Sequence, residues 1–270
     1  MPNLNLKKIL LQNKNKKLFF LVAMPRSGNT LFASIMNQNP DVVCTANSIT
    51  LEILKELFLL KYTDVFKNFP DNKSLNNVMD SVFDLYYKDW KQKYIIDRGP
   101  VMTPNNFKLV TKHFGRSFKC IVLIRNLVDV LASYIKWYTE NPNAFPNKYG
   151  KTDEEKLSYI MHKEGAVAKE LDAIKNAYNY PQICHFISYD NLISNTKKEI
   201  IKVYNFLDIP YYDKHYYSNL KQININNISY DDSVVGDNMH NIKPLIKKEY
   251  NPYIEKIPQR IIKKYEHIKF

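Results

Sequence analysis

Short apolar runs alternate with longer amphipathic stretches along this chain. The runs at Leu18–Ala23, Val42–Thr45, Tyr94–Ile96, Phe118–Ile124 and Ile183–Ser188 are rich in Ile, Val, Phe and Cys. Near-continuous apolarity over so few residues suits strands covered on both faces of a parallel sheet. Between the runs the period lengthens. Helical patterns begin at Asn29, cover roughly Leu51–Leu60 and Leu75–Trp90, restart after Thr103-Pro104 with Pro at the first helical position, and span Val128–Tyr138. Thr152-Asp153-Glu154-Glu155 has the spacing of a capping box, which predicts a helix that stops before Pro181. Thr196-x-x-Glu199 repeats that spacing, and Ile200, Val203, Tyr204 and Leu207 then mark one apolar face until Pro210. No repeat, low-complexity segment or Pro/Gly/Ser linker divides the chain, so it reads as one domain over residues 1–270. The alternation predicts a three-layer α/β/α fold around a mainly parallel sheet with right-handed crossovers. Ligands in such folds bind at the carboxyl ends of the strands.

Composition adds a sign to that picture. The 39 Lys+Arg against 27 Asp+Glu leave a formal net charge of +12, and the hydrophobic fraction of 45% excludes a disordered chain. A basic surface steers anionic ligands, so nucleic acid, a polyanionic cofactor and an acidic acceptor are all partners to weigh. A plain solvated, Lys-rich surface would carry the same charge. Cys44, Cys120 and Cys184 lie far apart in apolar stretches, without the spacing of a zinc site, and read as buried, reduced thiols. The longest apolar run, Leu18–Met24, falls far short of the ~20 residues that span a bilayer. It leads straight into Pro25-Arg26-Ser27-Gly28, which does not resemble a signal-peptide cleavage site. The expectation is a cytoplasmic protein with no membrane partner.

Two strand ends carry candidate chemistry. The first run feeds Pro25-Arg26-Ser27-Gly28-Asn29-Thr30, a tight turn with a cation, a glycine and hydroxyls, and a helix begins at once. Unpaired N–H groups and the helix dipole make an anion the natural occupant. The loop is not of the Walker type, because Asn29 stands where the Lys should and Ala23 replaces the first Gly. The bland alternative is a strand–turn–helix with Ser27 as a cap. At the fourth run, Arg125 ends the strand and Ser133 follows about two helical turns later. The guanidinium offers a planar fork for phosphate oxygens and Ser133 a hydroxyl donor. A surface salt bridge and a helix-face hydroxyl are the corresponding plain readings.

Together these residues resemble the sulfotransferases that use 3′-phosphoadenosine 5′-phosphosulfate (PAPS). Pro25–Thr30 is similar to their 5′-phosphosulfate loop, P-[KR]-S-G-[ST]-T, with Asn29 as the one departure, and Arg125 with Ser133 matches their 3′-phosphate site. The resemblance implies the P-loop nucleoside triphosphate hydrolase-like sulfotransferase fold, PAPS as co-substrate, 3′,5′-ADP as product and no metal. It implies that Arg26, Ser27, Gly28, Asn29, Thr30, Arg125 and Ser133 hold the nucleotide and that Arg26 stabilises the leaving bridge oxygen. At lower specificity, Arg98 in Asp97-Arg98-Gly99-Pro100 would neutralise the sulfuryl group in flight. Tyr189 in Tyr189-Asp190-Asn191-Leu192 would approach the cofactor. Lys243 in Asn241-Ile242-Lys243-Pro244 would be a further phosphate ligand, ahead of Lys247 and Lys248.

Where many members carry a catalytic Glu after N-P-D-V, this chain has Asn47 after Asn39-Pro40-Asp41-Val42. Asn47 cannot accept a proton. His240, Asp97 and Glu52 are the remaining candidates for the base, and His240 is taken as the catalytic one. The acceptor is a small molecule, glycan or peptide offering a hydroxyl or amine, with no nucleic acid expected; neither its identity nor the oligomeric state is legible. The rival readings are a kinase with Asp97 holding a metal, and an inactive PAPS-binding or basic nucleic-acid-binding module.

Overall fold

Each expected apolar run forms a strand in the computed structural model, which describes residues 16–268 except 116, 223, 248, 249 and 266. The strands are β1 (Lys17–Ala23), β2 (Val42–Cys44), β3 (Tyr94–Arg98), β4 (Cys120–Ile124) and β5 (Cys184–Ser188). They lie in the order β2-β3-β1-β4-β5, and every pairing is parallel. After β1 the chain builds one side of the sheet, then crosses to build the other. The reversal falls between β1 and β4, where an open α/β sheet leaves a crevice at its carboxyl edge.

The two-residue strand period explains why β1 has no polar position inside it. Leu18, Phe20 and Val22 point into one core, and Phe19, Leu21 and Ala23 into the other. Phe20 meets Phe83, Phe114 and Phe118 edge to face, with centroids 5.6, 5.9 and 5.1 Å apart. This first core is covered by α4 (Asn72–Tyr86), α5 (Pro104–Phe114), α6 (Leu127–Glu140) and their neighbours. The second is covered by α1 (Asn29–Met36) and α10 (Thr196–Leu207), whose Ile200, Val203, Tyr204 and Leu207 are all buried. Between α1 and α4 lie α2 (Thr50–Leu59) and the short α3 (Asp64–Asn68).

Two expectations need correction. The helix opened by the capping box at Thr152 does form that box, but it ends at Ile160 as α7 (Asp153–Ile160), and α8 (Ala166–Ala177) starts afresh. Gly165 caps the new helix so close to the Ile160 carbonyl that a Cβ there would lie 2.4 Å from its oxygen. The polar run His162-Lys163-Glu164 offers no apolar stripe to carry one helix through. Thr196 and Glu199 do not form a box either. A short helix, α9 (Tyr189–Ser194), precedes them, and the Thr196 hydroxyl donates back to Leu192 O at 2.7 Å, while Glu199 pairs with Lys202 at 2.7 Å. The preceding turn supplies a nearer partner than the next one. The last helix described is α11 (Gln259–Tyr265).

Candidate active site

β1 ends in the most buried part of the sheet, and the loop after it is held in a strained shape. Arg26 has φ 66° and Gly28 φ 92°, both in the left-handed region. At Gly28 only hydrogen fits, since a Cβ would stand 2.9 Å from the Tyr189 ring. Gly28, not Ser27, occupies the cap position of α1, and no side chain caps the helix. The first-turn N–H groups of α1 therefore face the loop without an intrahelical acceptor. Asn29 is buried with its amide turned back to Met24 O at 3.3 Å. Its amide braces the loop from below and leaves ligand contact to the backbone.

The mouth of β4 is tied to this same turn. Arg125 donates from Nη1 to Arg26 O at 2.6 Å and lies over the Tyr189 ring, 4.1 Å from its centroid. Arg26 in turn donates from Nε to Ser133 Oγ on α6 at 3.1 Å, and from Nη1 to Met239 O at 3.3 Å. Burial pulls the Arg26 pKa down, as does nearby Arg125, while Tyr134, Tyr189 and Asp232 oppose the shift. Among the described residues, nothing bonds Ser27 Oγ or Arg125 Nε, although both atoms are buried. Buried polar atoms without partners are uncommon, and among the described residues they also occur at Arg98 Nε and, away from this turn, at His113 Nε2 and His185 Nε2.

Arg98, at the end of β3, is held from behind. It donates from Nη2 to Ala23 O at 3.0 Å and pairs at 2.8 Å with Glu170 on α8, a carboxylate only 3% exposed. Burial pushes Glu170 up to about 7, with Arg98 offsetting only part of the effect. Asp97, buried beside it, is likewise pushed up by burial, to about 6. Both carboxyls hold their protons more tightly in the folded state. Their contribution to stability is therefore greatest in acid and is lost as pH rises through about 4 to about 7. Glu170→Gln is expected to flatten that decline, seen as a smaller difference in thermal midpoint between about pH 5 and about pH 8 than in the parent protein.

A strap formed by residues 230–240 closes the other side. It is stitched to the scaffold at several places. Trp137 donates from Nε1 to Asp237 O at 2.8 Å, Asn238 to Asn141 Oδ1 at 3.1 Å, and Phe145 N to Val235 O at 3.1 Å. Gly236, at φ 112°, passes so close to Ala144 that a Cβ would meet its Cα at 2.2 Å. At one end Tyr230 accepts from Ala46 N at 2.6 Å. At the other, the His240 ring stacks on Tyr230 with centroids 4.2 Å apart and planes 13° apart. Asp232 takes the His240 backbone N–H at 2.8 Å and the ring Nδ1 at 2.5 Å.

Loop and strap enclose a cavity of about 780 Å³. Arg26, Gly28, Asn29, Thr30, Arg98, Arg125, Ser133, Tyr189, His240 and Lys243 all line it, while Ser27 is fully buried beneath. Lys247 lines it too; Lys248 lies outside the described residues. Asn47 borders the cavity, but Asp97 is sealed under β3, where it accepts from the Thr50 hydroxyl, and Glu52 is exposed elsewhere on α2. The stretches Ser48–Leu60 and Leu75–Trp90 contribute nothing to this lining, whereas Glu140, Asn141 and Phe145, beyond Tyr138, do. Glu170, Tyr230 and Asp232 were not anticipated. Glu170 left one trace, a carboxylate on the apolar stripe of Val167, Leu171 and Ile174. Tyr230 and Asp232 left none, since their roles depend on where an irregular segment lands. Among the described residues no three His, Cys, Asp or Glu side chains gather into a metal cluster, and no helix is long and apolar enough to cross a membrane.

Comparison with known proteins points one way. A family described as "Sulfotransferase domain" matches residues 16–266. A provisionally named protein-tyrosine sulfotransferase of Caenorhabditis briggsae is 26% identical over 203 residues, covering 73% of this chain and 67% of its own. Among solved structures, mouse sulfotransferase SULT7A1 complexed with PAP superposes with a TM-score of 0.56 at 15% identity, over 96% of this chain and 86% of that one. A sulfotransferase from Alicyclobacillus acidocaldarius gives 0.52 at 12% identity, over 93% and 92%. At these identities the structures speak for the fold.

Proposed function

We propose, on the premise that this chain belongs to the sulfotransferase domain family, that its cavity takes PAPS and passes the sulfuryl group to a hydroxyl or amine acceptor, leaving 3′,5′-ADP. One observation carries the choice of donor. The turns after β1 and β4 are bonded to each other through Arg125 and Arg26 O, and both open into one cavity. Two anion pockets fixed at one separation fit a single ligand with phosphate at both ends better than two unrelated ions. Arg125 and Ser133 both line that cavity and supply a guanidinium and a hydroxyl as donors to such a ligand.

In this reading the α1 N-terminus and the 25–30 backbone hold the 5′ end, and Arg125 with Ser133 holds the 3′-phosphate. Arg26 supplies positive charge where the leaving phosphate oxygen gains negative charge. Arg98, braced by Glu170, faces the same volume, and Lys243 adds charge from the strap side. Tyr189 orients Arg125 by stacking on it. His240 is the base we assign. The nematode relative's name brings forward a peptide tyrosine as one acceptor to try. The three buried thiols, none in a disulfide, fit a reducing compartment, and we assign the cytoplasm.

Isothermal titration with 3′,5′-ADP in the presence of a chelator tests the donor site. Tight binding that magnesium does not change is expected. No binding, or binding of ATP alone and only with magnesium, would overturn the reading in favour of a kinase.

A further inference from the structure

Moving a sulfuryl group onto a hydroxyl requires something to take the hydroxyl's proton, and Asn47 beside the cavity cannot. This inference rests on the sulfotransferase reading above and concerns what replaces that missing carboxylate. The residues of the strap answer the requirement together. Asp232 grips His240 twice, at the backbone N–H and at Nδ1. An ionised carboxylate only accepts hydrogen bonds, so with Asp232 ionised the ring donates from Nδ1, and the neutral imidazole then carries its lone pair on Nε2. Tyr230 fixes the plane of the ring by stacking, and its own hydroxyl is anchored on Ala46 N, next to Asn47. Tyr230 thereby links the imidazole to the segment that carries Asn47.

His240 lines the same cavity as Arg26 and Arg98, the residues assigned to the leaving oxygen and to the group in flight.

We propose that Asp232 and Tyr230 are the positioning residues of His240, the base assigned above, for transfer to a hydroxyl acceptor. In the transfer, the acceptor oxygen bonds to sulfur as the bond from sulfur to the bridging phosphate oxygen breaks. The hydroxyl proton goes to His240 Nε2, the bond's electron pair leaves with 3′,5′-ADP, and Asp232 balances the imidazolium.

The full chain can be tested without knowing its acceptor, because water is itself a hydroxyl. Release of labelled sulfate from PAPS in buffer alone is expected to fall about hundredfold in His240→Gln and about tenfold in Asp232→Asn. Affinity for 3′,5′-ADP should stay within about threefold in both, which also reports that they fold. Added imidazole should restore part of the rate to His240→Ala. A second readout is independent of turnover: nitrogen-resolved NMR of the imidazole should show the proton on Nδ1 in the parent protein, with that preference lost in Asp232→Asn. Wild-type sulfate release from a His240→Gln protein that binds 3′,5′-ADP, or a proton found on Nε2 in the parent, would overturn the proposal. Failure of the parent to bind 3′,5′-ADP would instead reject the underlying reading.

Discussion

Arg125→Ala is expected to weaken 3′,5′-ADP binding by about 10³-fold. The side chain ends β4 at the mouth of the sheet, held flat by Tyr189 and tethered through Nη1 to Arg26 O. That leaves the buried Nε edge without a partner among the described residues. Two charge-assisted bonds to a phosphate, at roughly 2 kcal/mol each, amount to about 4 kcal/mol, or about three powers of ten. Arg125→Lys separates charge from shape. It keeps the cation but loses the planar fork and the stacking surface, so it should recover only part of the affinity. Titration calorimetry on both variants checks this, and equal affinity for alanine and parent would mean that Arg125 serves only to hold the turn.

Arg26→Ala is expected to lower the rate of sulfate release by about 10³-fold with a much smaller loss of 3′,5′-ADP affinity. The split follows from where the charge acts. In this structure the guanidinium is largely engaged by the protein itself, through Ser133 Oγ and Met239 O. Its burial makes it a strong electrostatic group but a costly one to leave unbalanced. Charge developing on a leaving oxygen rewards such a group in the transition state more than in the bound state. Arg26→Lys should retain most of the rate. Single-turnover measurement at saturating PAPS separates the two quantities. A variant that loses affinity and rate in equal proportion would place Arg26 among the ground-state binding groups.

The strands and the two loops that follow β1 and β4 were legible because each is a local pattern. Leu18–Ala23 runs straight into Pro25-Arg26-Ser27-Gly28, and Phe118–Ile124 into Arg125, so period and motif sit side by side in the chain. The contacts of the strap were not. His240 stood out only as a lone histidine, and its partner Asp232 follows from a turn that brings eight residues of irregular chain back on themselves. Tyr230 reaches Ala46 across 184 positions, a contact that no periodicity encodes. Glu170 lies between these cases: a carboxylate on a buried stripe announces a partner but not which one, and Arg98 is 72 residues away. The misread capping box at Thr196 has the same origin. Spacing was right, yet Thr196 had a nearer carbonyl at Leu192.

The strap differs in kind from the sheet it faces. β1 and β4 are paired on both sides and buried on both faces, so their amide hydrogens exchange with solvent only when the whole domain opens. Residues 230–240 contain no regular structure beyond the short turn Asp232–Val234 and hang on a handful of individual bonds. Their amides, that of His240 first, should exchange by small local openings and slow down when the cavity is filled. On the proposed reading, the nucleotide would be held by the part that opens last and His240 would sit in the part that opens first, so filling the cavity should slow exchange at His240 while leaving β1 and β4 unchanged.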